Sequence, residues 1–179
     1  MARGKVRIIG GEWRSRLVEF PALADLRPTP DRVRETLFNW LGQDLTGLTC
    51  LDLFAGSGAL GFEALSRGAA KVVMVEKLRA AQRALAANAH NLQAQNLELV
   101  CADALQFLKS DGRAYDLVFL DPPFGADYLP RLLAQLPARL AADAQVYVES
   151  AHACAETGWD VWRQARAGQV YYQLLKRKP

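Results

Sequence analysis

The chain has 179 residues, 51% of them hydrophobic and 23% charged, with a net charge of +3. That composition excludes a disordered chain and supplies enough apolar surface for one core of domain size. No apolar run approaches the ~18 residues that span a bilayer, and the basic start MARGKVRIIGG lacks the apolar stretch of a signal peptide, so a cytoplasmic protein is expected. Cys50, Cys101 and Cys154 are an odd number without a CxxC pair, so neither a disulfide framework nor a metal site is expected. The basic groups gather at the ends. Residues 1–34 hold eight (Arg3, Lys5, Arg7, Arg14, Arg16, Arg27, Arg32, Arg34) against four acids. No acid follows Asp160, whereas Arg163, Arg166, Lys176, Arg177 and Lys178 do. Two basic ends suit an anionic ligand between them; a solvated surface with ordinary arginine scatter is the plainer reading.

In chain order, 6–9 and 17–20 read as two short strands around Gly10-Gly11, a hairpin whose loop carries Trp13, Arg14 and Arg16. Residues 1–25 are therefore expected as a basic extension separate from a domain at 26–179. RPTPDRVRETLFNWL follows, a helix with Thr29 as N-cap and Pro30 at its first position. Its apolar face is Val33, Leu37, Trp40 and Leu41, and Gly42 ends it. From residue 48 strand-like runs (49–54, 71–76, 97–101, 116–121, 145–149) alternate with helical patterns (60–67, 78–92, 104–109, 128–140). Alternation with near-continuous apolar strands predicts an α/β fold, a doubly wound, mainly parallel Rossmann-like sheet with helices on both faces. Runs 160–165 and 169–176, joined at Ala167-Gly168, add an antiparallel pair at the end of that sheet.

LDLFAGSGALG places Gly56, Gly58 and Gly61 as GxGxxG between a predicted strand and a predicted helix. Glycines there allow a tight turn and a close backbone approach to a nucleotide-type ligand at a helix N-terminus. Glu76 ends the next strand, 20 residues beyond Gly56, where a carboxylate accepts both hydroxyls of a ribose. These features suit NAD and other adenosine cofactors equally. Asp52 precedes the loop, a costly place for an acid unless it serves a ligand or pairs. Asp103 follows the third strand, within reach of an adenine amine or as a helix N-cap.

FLDPPF, residues 119–124, ends the fourth strand. Two prolines remove two backbone donors and stiffen the segment, leaving acceptors: the Asp121 carboxylate and the Pro122 carbonyl, with the flat face of Phe124 beside them. That set fits a planar ring bearing an NH2 group.

In this order the motifs resemble the S-adenosylmethionine-dependent amino-methyltransferases. RIIGGEWRSRLVEFP, LRPTPDRVRETLFNWL, LDLFAGSGALGFEALSRGA and FLDPPF together resemble the bacterial 16S rRNA (guanine(966)-N(2))-methyltransferase family, closely to residue 124 and more loosely beyond. The resemblance implies a seven-stranded methyltransferase sheet and transfer from S-adenosylmethionine to the exocyclic amine of a guanine in small-subunit ribosomal RNA, free or in an assembling 30S subunit. Cofactor contacts are then expected from Asp52, Phe54, Gly56, Ser57, Gly58, Glu76 and Asp103. A segment covering the cleft, residues 27–38, brings Arg34 and Thr36. Asp121, Pro122 and Phe124 carry the chemistry, with the product proton going to Asp121 or to water. The RNA grip is expected on Arg3, Lys5, Arg7, Arg14 and Arg16 with Trp13 for stacking; the basic strands around Arg163, Arg166 and Lys176 are the other place for it. A DNA adenine or a protein glutamine could use the same acceptor motif. A nicotinamide oxidoreductase would leave DPPF without a purpose, and a non-catalytic RNA-binding protein would leave the glycine loop idle.

Overall fold

The computed structural model describes residues 3–23, 26–123 and 128–179. Phe124, expected to stack on the substrate, lies outside them. Strands β1 (Arg3–Arg7) and β2 (Leu17–Pro21) form an antiparallel hairpin. Helix α1 (Asp31–Leu41) leads to β3 (Thr49–Asp52), α2 (Ala59–Ser66), β4 (Lys71–Val75), α3 (Arg79–Leu92), β5 (Leu97–Val100), α4 (Ala104–Ser110) and β6 (Tyr115–Leu120). Helix α5 (Leu129–Gln135) and a 3-10 turn (Leu136–Arg139) precede β7 (Leu140–Ser150), β8 (Trp159–Ala167) and β9 (Val170–Arg177). The run expected as one helix to residue 140 thus breaks at Pro137, which has no N–H to continue it.

Seven strands make one sheet in the order β5-β4-β3-β6-β7-β9-β8. The first five are parallel, and β9 and β8 close the sheet antiparallel. Alternating strand residues face opposite layers. Cys50, Val72, Leu117 and Tyr147 meet α1, α2 and α3 on one face, and Leu51, Val73, Val118 and Val146 meet α4 and α5 on the other. Strand order reverses between β3 and β6, and the crevice at the carboxyl ends of those strands is where such sheets take ligands. No helix among the described residues is long and apolar enough to cross a membrane.

The hairpin does not stand apart. Val6, Ile8, Val18 and Phe20 are buried in the same core as α1 and α2. Buried Glu63 of α2 accepts the backbone N–H groups of Ile9 (2.9 Å) and Gly10 (2.8 Å), and Asn88 of α3 exchanges two hydrogen bonds with the Glu19 backbone. One acid inside the apolar run ALGFEALS is the sequence signal for this joint. Buried, it needs partners, and it finds Arg34 at 3.1 Å and Arg67 at 3.0 Å besides the two amides.

Candidate active site

The chain leaves β3 at Asp52 and reaches α2 through the glycine loop. Gly58 caps α2 at φ +81°, where a side chain would also press within 2.6 Å of Phe62 and Leu85. Gly56, at φ +52°, is not tightly enclosed: an added Cβ would only make ordinary contact, 3.8 Å, with Leu26 Cγ and Phe54 O. Without a Cβ its backbone can come close to a ligand that displaces the Leu26 side chain. At Gly61 a Cβ would lie 2.3 Å from Met74 Cε, so this glycine lets α2 lie down on the sheet. Asp52 is buried and accepts the Gly61 N–H at 3.0 Å. Burial pushes its carboxyl up to about 7; the Gly61 amide opposes the shift and the charge of Glu76 adds to it.

Glu76 emerges from β4 beside this loop. Its Oε2 accepts from Gly56 N at 3.0 Å and its Oε1 from Leu78 N at 2.7 Å, so both oxygens are fixed against the loop. Asp103 caps α4, its Oδ1 accepting from Leu105 N (3.0 Å) and Gln106 N (3.2 Å); of the two roles open to it in the sequence, the cap is the one made. Ser57 is buried and its Oγ accepts the Ala59 N–H at 3.3 Å. Phe54 is half-buried, edge-on to Tyr128 with ring centroids 5.9 Å apart.

Across the switch point, β6 runs out at Leu120 into Asp121, buried Pro122 and exposed Pro123. Leu120 is in register with Val148 of β7, so the next residues, Asp121 and Glu149, are neighbours at the sheet's edge. Burial raises the Asp121 carboxyl well above the usual carboxylate range, and the charges of Glu149 and Asp52 raise it further. Glu149 was absent from the expected site. Its Oε1 accepts the Thr29 hydroxyl at 2.6 Å and the Tyr147 hydroxyl at 2.9 Å. Burial raises its carboxyl too, against those two donors. The Thr29 bond ties the covering segment to β7 across 120 positions of sequence. With Leu26 over Gly56, that segment runs across the strand ends from the glycine loop to the acceptor edge.

Comparison with known proteins places this geometry. The family described as conserved hypothetical protein 95 matches residues 6–176. The chain belongs to this family. Ribosomal RNA small subunit methyltransferase D of Escherichia coli (strain K12) is 45% identical over 184 residues, covering 98% of this chain and 91% of its own. The protein of the same name from Haemophilus influenzae is 39% identical, covering 98% of this chain and 95% of its own. A solved Escherichia coli structure, 45% identical, superposes with a TM-score of 0.87 over 98% of this chain and 99% of that one.

Several expected residues sit differently in this family member. Thr29 does not cap α1: the helix starts at Asp31 after Pro30, without a side-chain cap, and the Thr29 hydroxyl is spent on Glu149. Arg34 does not face the cleft. It is fully buried, with its guanidinium on Glu63, Asp31 and the carbonyls of Thr29 and Arg7, so it joins α1, α2 and the hairpin. Thr36 turns its hydroxyl to Arg32 O of its own helix. On the hairpin, Arg3 (3.0 Å) and Lys5 (3.2 Å) both pair with Glu19, and Arg7 pairs with Asp31 at 3.1 Å. Arg16 is exposed and donates to Asn91 O, Arg14 is exposed, and Trp13 is half-buried against the core. Three of the five cations expected to hold RNA are thus already paired with carboxylates.

Proposed function

We propose that this protein transfers a methyl group from S-adenosylmethionine to the exocyclic N2 amine of a guanine in small-subunit ribosomal RNA. The names of the two relatives support the reaction class and the RNA. The observation that carries the amine is Asp121, a carboxylate at the switch point whose two following prolines leave no backbone donor beside it.

The residues present fit the cofactor. Gly56 lets the backbone come close, Glu76 presents a fixed carboxylate for ribose hydroxyls, and Asp52, Asp121 and Glu149 crowd negative charge where their own burial disfavours it. Such a site favours a cation. When bound, S-adenosylmethionine supplies a methyl made electrophilic by a sulfonium, whose positive charge also favours the ionised forms of these acids. Gly56, Glu76 and the Oδ2 of Asp103, which the helix cap does not use, would hold it.

A purine amine is a poor nucleophile because its lone pair is delocalised into the ring. The Asp121 carboxylate and the Pro122 carbonyl, each accepting one N–H, favour a more tetrahedral nitrogen and return that lone pair to it. Phe124 is assigned to the face of the base. As the N–C bond forms the methyl–sulfur bond breaks, its electron pair staying on a neutral thioether; one proton leaves nitrogen, and Asp121, held above the ordinary carboxylate range beside Glu149, is placed to take it. The larger share of the acceleration is alignment and a preorganised field.

Incubation of the protein with methyl-labelled S-adenosylmethionine and, separately, small-subunit ribosomal RNA, assembled 30S subunits, DNA and protein extract tests this. Label in RNA, released on digestion as N2-methylguanosine, is the expected result. Label on adenine in DNA or on glutamine would transfer the site to a different acceptor, and binding of NAD in place of S-adenosylmethionine would overturn the reading.

A further inference from the structure

Strands β8 and β9 form a two-stranded ribbon whose outer strand ends the sheet. An open edge strand invites pairing with another chain, and this one is built against it: it carries Asp160, Arg163 and Arg166, and a bulge between Val161 and Arg163 breaks its register. The bulge residue, Trp162, is 42% exposed. The Lys176 ammonium lies 3.5 Å and the Arg163 guanidinium 4.8 Å from its ring centroid. Further along, the Arg166 guanidinium lies 5.2 Å over the Tyr171 ring. Among the described residues none of Arg163, Arg166 and Lys176 forms an ion pair; the nearest pair, Lys178 with Asp160, leaves them out. Their hydrogen-bond partners are neutral carbonyls, Trp162 O for Arg163 and Gly168 O for Arg166. Aromatic faces and carbonyls orient a cation without cancelling its charge.

Register gives the ribbon its relation to the site. Glu149, the neighbour of Asp121, pairs with Tyr172 of β9, which pairs with Ala165 of β8; Ser150, Tyr171 and Arg166 form the next row outward. At that level β8 lies three strand spacings of ~4.8 Å from β6, which sets Arg166 on the order of 14 Å across the sheet from the acceptor edge. Arg163 and Lys176 lie further down the ribbon, level with Tyr147 and Gln145 of β7.

We propose that the β8–β9 ribbon is the main RNA-contacting surface of this protein, with Arg163 and Lys176 on one side of the ribbon and Arg166 on the other meeting phosphates, and with the Trp162 ring holding Arg163 and Lys176 in place. The inference rests on the RNA reading above and adds the place where the RNA is held. The un-neutralised charge favours a polyanion over a protein partner.

The test is filter binding of full-length protein to small-subunit ribosomal RNA across a salt series, wild type against Arg163→Ala/Arg166→Ala/Lys176→Ala, with S-adenosylmethionine affinity by calorimetry as the check that the fold and cleft are intact. Three contacts at about 0.7 each set the expected change: the log-log salt slope becomes shallower by about 2, and the affinity advantage lost over a fourfold salt range is about 20-fold. Trp162→Ala, which frees Arg163 and Lys176 from the ring that orients them, should weaken binding by less than the triple variant does. A triple variant with wild-type affinity and slope overturns the proposal while leaving methyl transfer by the wild type untouched. Loss confined to assembled subunits, with naked RNA bound normally, would assign the ribbon to a protein and overturn it as well. A wild type that methylates no RNA would overturn the underlying reading instead.

Discussion

The hairpin and the ribbon are both two-stranded, both antiparallel and both basic, yet their charges are set to different uses. Arg3, Lys5 and Arg7 of the hairpin each meet a carboxylate within 3.2 Å, and the loop beyond them is bound to Glu63 and Ser66 of α2. Arg163, Arg166 and Lys176 of the ribbon lie against aromatic rings. A count of lysines and arginines cannot separate these cases, because the potential outside the protein depends on which cations keep a neutralising partner. The hairpin's strands are a structural part of the domain with their cations paired, and the ribbon, with the loop residues Arg14 and Arg16, keeps charge to offer.

The change that tests the first half of that contrast most severely is Glu63→Ala. It strips the hairpin joint of its acceptor and leaves Arg34, fully buried, short of its main counter-charge. Breaking a buried pair from one side costs about 3–5 kcal/mol, so chemical denaturation should show a loss of that size. The amides of Ile9 and Gly10 should exchange faster than those of β3. A loss below 1 kcal/mol would mean that the hairpin is held by apolar contact alone.

The acids between the two regions respond to pH in a direction that follows from their burial. Asp52, pushed up to about 7, keeps its proton in the folded chain after the unfolded chain, near 3.8, has released it. Its contribution to stability is full below about pH 4 and is lost as pH rises through 7, a few kcal/mol over the window at ~1.4 per unit. Asp52→Asn retains an acceptor for Gly61 and removes the titration, so ligand-free variant protein should show a flatter stability profile between pH 4 and 7 than the parent. Parallel profiles would mean that Asp52 ionises normally. Asp121→Ala then separates chemistry from grip: turnover should fall by about two orders of magnitude, the scale of a positioned polar group, while the RNA salt slope stays where it was. A shifted slope would place Asp121 in RNA binding.

Much of this was legible beforehand, and for a physical reason in each case. The sheet follows from strand-helix alternation, and the glycine loop, Glu76 and Asp121 stand out because few other roles call for those residues in that order after strands. What escaped was pairing between distant segments. Thr29 reads as a helix cap because local spacing favours one, but a hydroxyl 2.6 Å from a buried carboxylate 120 positions away is better used there. Arg34 reads as a cleft residue from the segment that carries it; only the packing of α1 on α2 shows its guanidinium turned inward to Glu63. Glu149 lacked a motif altogether. Its importance comes from register, which sets it beside Asp121.

The smallest expected effect is the sharpest test of the contrast. Arg3 and Lys5 are both exposed and share one carboxylate, Glu19, whose own carboxyl they hold below its usual range. Lys5→Ala leaves Arg3 and Glu19 as a balanced pair, and exposed pairs of this kind contribute little to stability. For RNA to use the lysine, the ammonium would have to leave a carboxylate oxygen 3.2 Å away that it shares with no other partner at that atom, so part of the gain is lost in the exchange. Lys5→Ala should therefore change the salt slope by clearly less than the ~0.7 expected for one phosphate contact, and by less than Arg166→Ala changes it. If the two substitutions flatten the slope equally, the ion pairs of the hairpin open on RNA and the two basic regions share the load.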